Sequence, residues 1–106
     1  MQQANVFIHN RLAGVLSETD TGYSFQYDEK YLQLSDAEAV SLTLPLRTET
    51  YVSAVLFPFF DGLIPEGWLL DIAKRSWKIN ARDRMSLLLH CCVDCIGNVS
   101  VRIIDN

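Results

Sequence analysis

The chain is 106 residues long, 49% of them apolar, with a formal net charge of −4 at pH 7 and a mean hydropathy of +0.10. That is the length of one domain with one core, and such a domain buries roughly 65% of the surface its unfolded chain exposes without help from metal or disulfide. Net acidity repels phosphate backbones and argues against direct nucleic-acid binding. Because no basic n-region precedes Asn5 and Pro58 breaks the longest apolar stretch, a signal peptide or membrane span is not expected, and the cytoplasm is the default location.

Asn5 to His9 and Leu12 to Leu16 are short apolar runs around Asn10-Arg11, which predicts an antiparallel hairpin turning on those two residues. Glu18 to Gly22 is rich in turn formers. Beyond it Tyr23, Phe25 and Tyr27 alternate with Ser24, Gln26 and Asp28, the period-two pattern of a strand whose aromatic face lies in the core. Asp28 to Leu32 predicts a turn or short helical piece. Ser41-Leu42-Thr43-Leu44, stopped by Pro45, predicts a fourth short strand, and Leu46 to Val52 has no clear pattern.

Leu56 to Leu63 predicts a short helix ending near Asp61-Gly62. Pro65 opens a second helix, with Glu66 at the positive end of its dipole and Leu69, Ile72, Ala73 and Ser76 forming the stripe that packs on the sheet. A third helix from about Ala81 to Cys91 places Met85, Leu88, Leu89 and Cys92 at helical spacing, with Asn80 as its cap. Asn98 to Ile103 alternates again as a closing strand. The expected fold is α+β: a small antiparallel sheet with two or three helices on one side, in a single domain over 1–106.

Charge is uneven along the chain. Nine acids lie between Glu18 and Glu66 against Lys30 and Arg47, whereas Lys74, Arg75, Lys78, Arg82 and Arg84 face only Asp83 in their stretch. The bland reading of such a run is a solvated helix edge beside an acidic sheet.

The chemistry of a nucleotide or metal enzyme is missing from the sequence. The glycines are scattered, so no loop can cradle phosphate through its backbone N–H groups. Phe60-Asp61-Gly62 has the form of a kinase magnesium loop, but no catalytic loop or nucleotide lysine accompanies it, which leaves a helix end. Cys92 and Cys95 have CxxC spacing beside His90 and Cys91, yet there is no second pair, and the adjoining leucines make these cysteines core fillers with reduced thiols. Neither His9 nor His90 sits in a nucleophile frame. No catalytic residue, metal or cofactor is expected.

What remains unusual is Phe57-Pro58-Phe59-Phe60-Asp61-Gly62-Leu63-Ile64-Pro65-Glu66-Gly67-Trp68, where three phenylalanines and a tryptophan surround two prolines. Aromatic density of that kind either wedges helices onto a sheet or presents an anchor to a partner. The segment resembles the FFDNLLPE-type motif of HipA-family proteins. Val40-Ser41-Leu42-Thr43-Leu44-Pro45-Leu46 is similar to the "plSlslPl" stretch of their N-terminal subdomain, and Gly14-Val15-Leu16, Phe25-Gln26-Tyr27 and Asp94 to Val99 add further matches.

In HipA-type proteins this subdomain precedes a serine/threonine kinase core. No such core follows within the 106 residues, so the chain looks like the stand-alone HipS-type subunit of split systems, in which a shortened HipT-like kinase toxin and a HipB-like DNA-binding protein are the partners. The resemblance implies an antitoxin-type inhibitor that occludes the kinase active site, with Phe59, Phe60, Asp61, Pro65, Glu66, Gly67 and Trp68 as the partner-binding segment. Trp68 falls about 80° from the centre of the packing stripe and so need not be buried by its own domain. The competing expectation is a completing subunit or N-terminal fragment of a HipA-type kinase that inhibits nothing.

Overall fold

The structure is a computed structural model that describes residues 2–64, 84–91 and 99–104. These form strands β1 (Gln3–Ile8), β2 (Arg11–Thr19), β3 (Gly22–Tyr27), β4 (Tyr51–Ser53) and β5 (Val99–Ile103), with helices α1 (Glu29–Leu32), α2 (Pro58–Asp61) and α3 (Arg84–Cys91). The sheet order is β4-β3-β2-β1-β5 and every neighbouring pair is antiparallel. The α+β class expected from the sequence is what the chain adopts.

The first hairpin turns one residue earlier than expected. Ile8 pairs with Arg11, which leaves His9 and Asn10 in the turn at φ of 52° and 66°. Two successive left-handed residues match the right-handed twist of the flanking strands, and Asn and His tolerate that conformation better than most side chains. The next hairpin is tighter than its composition suggests. Ser17, Glu18 and Thr19 continue β2 and pair with Ser24, Tyr23 and Gly22 of β3, because ladder hydrogen bonds use the backbone and do not require apolar side chains.

Alternation then sorts the sheet into two faces. Ala4, Val6, Ile8, Leu16, Phe25, Tyr27 and Val101 are buried, while Gln3, Gln26 and Arg102 point the other way and are exposed. Gly14 lies opposite Tyr27, where a Cβ would sit 2.5 Å from the Gln26 carbonyl oxygen and 3.0 Å from the Phe25 ring. Any larger residue would push the aromatic layer off the sheet. That layer is closed from the helical side by Tyr31, Phe60, Met85 and Leu88, none more than 2% exposed.

Helix α1 forms where Asp28 caps it, its carboxylate accepting the Tyr31 N–H at 3.2 Å. Helix α2 begins with Pro58 at its first position and ends at Gly62, a shorter version of the helix expected over Leu56 to Leu63. Helix α3 lies within the expected third helix, with Met85 and Leu88 in the core and Leu89 partly buried. The fourth strand is corrected. Ser41–Leu44 is a tight turn closed by a single bridge, and the strand pairing with β3 is Tyr51–Ser53, inside the stretch that showed no pattern. The expected helix from Pro65, the basic stretch Lys74 to Arg82, and Cys92 and Cys95 lie outside the described residues.

Candidate partner-binding site

The aromatic segment divides into an inward and an outward part. Phe60 is fully buried; its ring centroid lies 5.5 Å from that of Phe25, 5.2 Å from Phe59 and 6.3 Å from Phe57, at tilted or edge-on angles. Such contacts among rings add to the large area they remove from water. Phe60 is therefore a plug between α2 and the sheet, and a partner can meet it only through the surface it shapes. Phe59 is half-buried at the rim of the same cluster.

Asp61 is committed within the domain. Its Oδ1 accepts from Arg84 Nε at 2.7 Å and lies 2.7 Å from a second guanidinium nitrogen, tying α2 to α3. Both side chains remain more than a third exposed, so the bond fixes orientation more than it stabilises the fold. Ile64, 8% exposed, anchors the chain one residue before Pro65. Pro65, Glu66, Gly67 and Trp68, the rest of the expected partner-binding segment, lie outside the described residues.

A second feature was not foreseen from the sequence. The connection 33–50 between α1 and β4 is longer than the roughly 12–15 residues beyond which a structureless connection in a compact domain becomes uncommon. Three tyrosines hold it down. The buried Tyr27 hydroxyl accepts the Val40 N–H at 3.0 Å and donates to the Leu44 carbonyl. The Tyr31 hydroxyl accepts the Glu38 N–H at 2.9 Å and donates to the Glu38 carbonyl at 2.8 Å. The Tyr51 hydroxyl donates to the Pro45 carbonyl, and the Arg47 guanidinium stacks 3.6 Å from the centre of the Tyr51 ring.

An ion pair ties the same connection to the first hairpin, Arg11 donating to both oxygens of Asp36 at 3.1 and 3.2 Å, and His9 Nε2 lies 3.6 Å from the Glu38 carboxylate. Between the buried Val40 and Leu44, the Leu44 N–H closes the turn on the Ser41 carbonyl at 3.1 Å, and Leu42 projects from it as a fully exposed residue. Ser41-Leu42-Thr43-Leu44 ahead of Pro45 carried the strand signal, but the phenol that grips Val40 and Leu44 on either side of the turn leaves Leu42 pointing outward.

Electrostatics follow from these contacts. Burial pushes the Tyr27 phenol up to about 12, against a smaller opposing pull from the Val40 N–H. The hydrogen bond and positive charge of Arg11 hold the exposed Asp36 carboxyl below its ordinary value. A surface depression of about 380 Å³ lined by Val15, Gln26, Tyr27, Asp28, Glu29 and Lys30 brings no nucleophile together with a base, and Asp28 is already used as a helix cap. Among the described residues no helix is long and apolar enough to cross a membrane.

A five-stranded antiparallel sheet, helices closing one face on an aromatic plug, and a long stapled connection define a small α+β domain whose distinctive side chains are structural or surface-presenting. The chain belongs to the HipA N-terminal domain family, whose model matches residues 4–102. It is 28% identical over 102 residues to an uncharacterized protein of Haemophilus influenzae (strain ATCC 51907 / DSM 11121 / KW20 / Rd), covering 96% of this chain and 92% of that one. It is also similar to a solved structure of the N-terminal domain of HipA toxin, at 25% identity and a TM-score of 0.77, with 100% of this chain and 95% of that one covered.

Proposed function

We propose that this domain is a non-enzymatic protein inhibitor that binds a HipT-like serine/threonine kinase toxin and occludes its active site, as an antitoxin-type, HipS-like subunit. The observation that carries the reading is family membership over almost all of the 106 residues, joined to a relative matched over nearly its full length: the Haemophilus influenzae protein is 92% covered, so that protein is little longer than one such domain. A domain of this family in a chain of that relative's length would act on a kinase in trans.

The aromatic segment supplies the means. Phe60 plugs the core and Asp61 is held by Arg84, so the chain enters Pro65-Glu66-Gly67-Trp68 from a fixed base. Trp68 is the proposed anchor, Glu66 and Gly67 shape its approach, and no metal, cofactor or direct nucleic-acid contact is required. A HipB-like DNA-binding protein is the proposed third member of the complex.

A second reading has its own support, because the similar solved structure is a domain of the toxin itself. On that reading the chain completes a kinase and inhibits nothing. Titrating this chain into a HipT-like kinase and following phosphoryl transfer separates the two. An inhibitor lowers the rate in proportion to the fraction bound, whereas a completing subunit preserves or raises it.

A further inference from the structure

We propose that the connection 33–50 is a second docking element, which seats Leu42, flanked by Pro45 and Leu46, in an apolar socket rimmed by basic residues on the same kinase; this rests on the kinase-binding reading above. A single exposed leucine is ordinary on a protein surface. What sets Leu42 apart is the framework spent on presenting it. Two buried neighbours anchor the turn, the Tyr27 hydroxyl grips both of its ends, and Tyr31 and Tyr51 fasten the flanks. Side chains in a stapled turn bind at a lower ordering cost than those in a free loop, and long ordered connections of this type are common binding elements.

Charge identifies the occupant. Glu29, Asp36, Glu38 and Glu49 are exposed around the connection, against Lys30 and Arg47, and Arg47 is folded onto Tyr51. With Arg11 counted and His9 neutral, four acids stand against three bases, a local excess of one negative charge. A second copy of this chain, at net charge −4, repels that surface overall, its basic stretch Lys74 to Arg84 excepted. A heterologous surface with cationic residues around an apolar pocket meets it with opposite charge.

The test is calorimetric titration of the full chain into a HipT-like kinase at low and high salt, with Leu42→Ser and Leu42→Met alongside the unaltered chain, and a thermal melt of each. Because the side chain is fully exposed, both variants should melt like the parent. Leu42→Ser should bind roughly tenfold more weakly, as expected for losing one buried leucine, while Leu42→Met stays close to the parent. Parental affinity should also fall as salt rises. If Leu42→Ser binds as tightly as the parent, this proposal fails and the kinase-binding reading stands. If the parent itself does not bind, both fail. Equal loss of affinity and melting temperature in Leu42→Ser would make the residue structural and overturn the proposal, and an affinity indifferent to salt would remove the basic rim.

Discussion

Two short segments of this domain, 57–64 and 40–46, are each a little over half apolar and differ in where those side chains go. In the first, side chains turn inward: Phe57, Phe60 and Ile64 are buried, the two rings flanking or lying on the single turn of α2. In the second, Leu42 and Leu46 turn outward although Val40 and Leu44 do not. Hydrophobicity alone does not separate them. The first is shaped by packing of large rings against the sheet, the second by phenol hydroxyls that satisfy backbone groups and so fix which side chains leave the core.

The largest effect that would sharpen this contrast is at Phe60. Phe60→Ala should cost about 3–5 kcal/mol, the range for emptying a fully packed aromatic site, and denaturant unfolding of the free domain measures it. A loss under about 1 kcal/mol, typical of surface positions, would mean the plug is not the keystone of α2.

Next comes Tyr27→Phe, which keeps the ring and removes the hydroxyl. It strands the Val40 N–H and the Leu44 carbonyl, and should cost about 1–3 kcal/mol. Hydrogen exchange should rise at Val40 while β1 stays protected. The same phenol governs alkaline stability. Its folded value, about 12, lies above the ordinary 10.0, so the folded state holds the proton more tightly; stability is intact below about pH 10 and declines as pH rises toward about 12. Melting temperatures followed across that window should fall less steeply in Tyr27→Phe than in the parent.

Asp61→Asn should have the smallest effect, at most about 1 kcal/mol, because the pair with Arg84 is partly solvated and screened. A comparable loss in Arg84→Gln, with little further loss in the double variant, would show that the two side chains act as one contact.

Alternation made β3 and β5 legible, apolar runs around a turn marked β1 and β2, and Gly62 marked the end of α2, because period and turn chemistry are local properties of the chain. Residues Phe59, Phe60 and Asp61 were recognisable as a group but not by role. Only the fold reveals that Phe60 meets Phe25, far away in sequence, and that Asp61 meets Arg84. The turn at Ser41–Leu44 was misread as a strand for a related reason: the group that bends it is the Tyr27 hydroxyl, which lies on β3. Non-local hydrogen bonds of this kind leave no period in the segment they shape.

The proposed inhibition of a kinase in trans runs through the segment that follows the buried plug. Inhibition of a HipT-like kinase by Trp68→Ala, read beside the variant's thermal melt, tests it most directly. An unchanged melt and a potency lower by roughly thirtyfold, the scale of a desolvated aromatic anchor, are expected. A variant that melts much lower yet still inhibits like the parent would contradict it, making Trp68 a core residue and moving the anchor elsewhere.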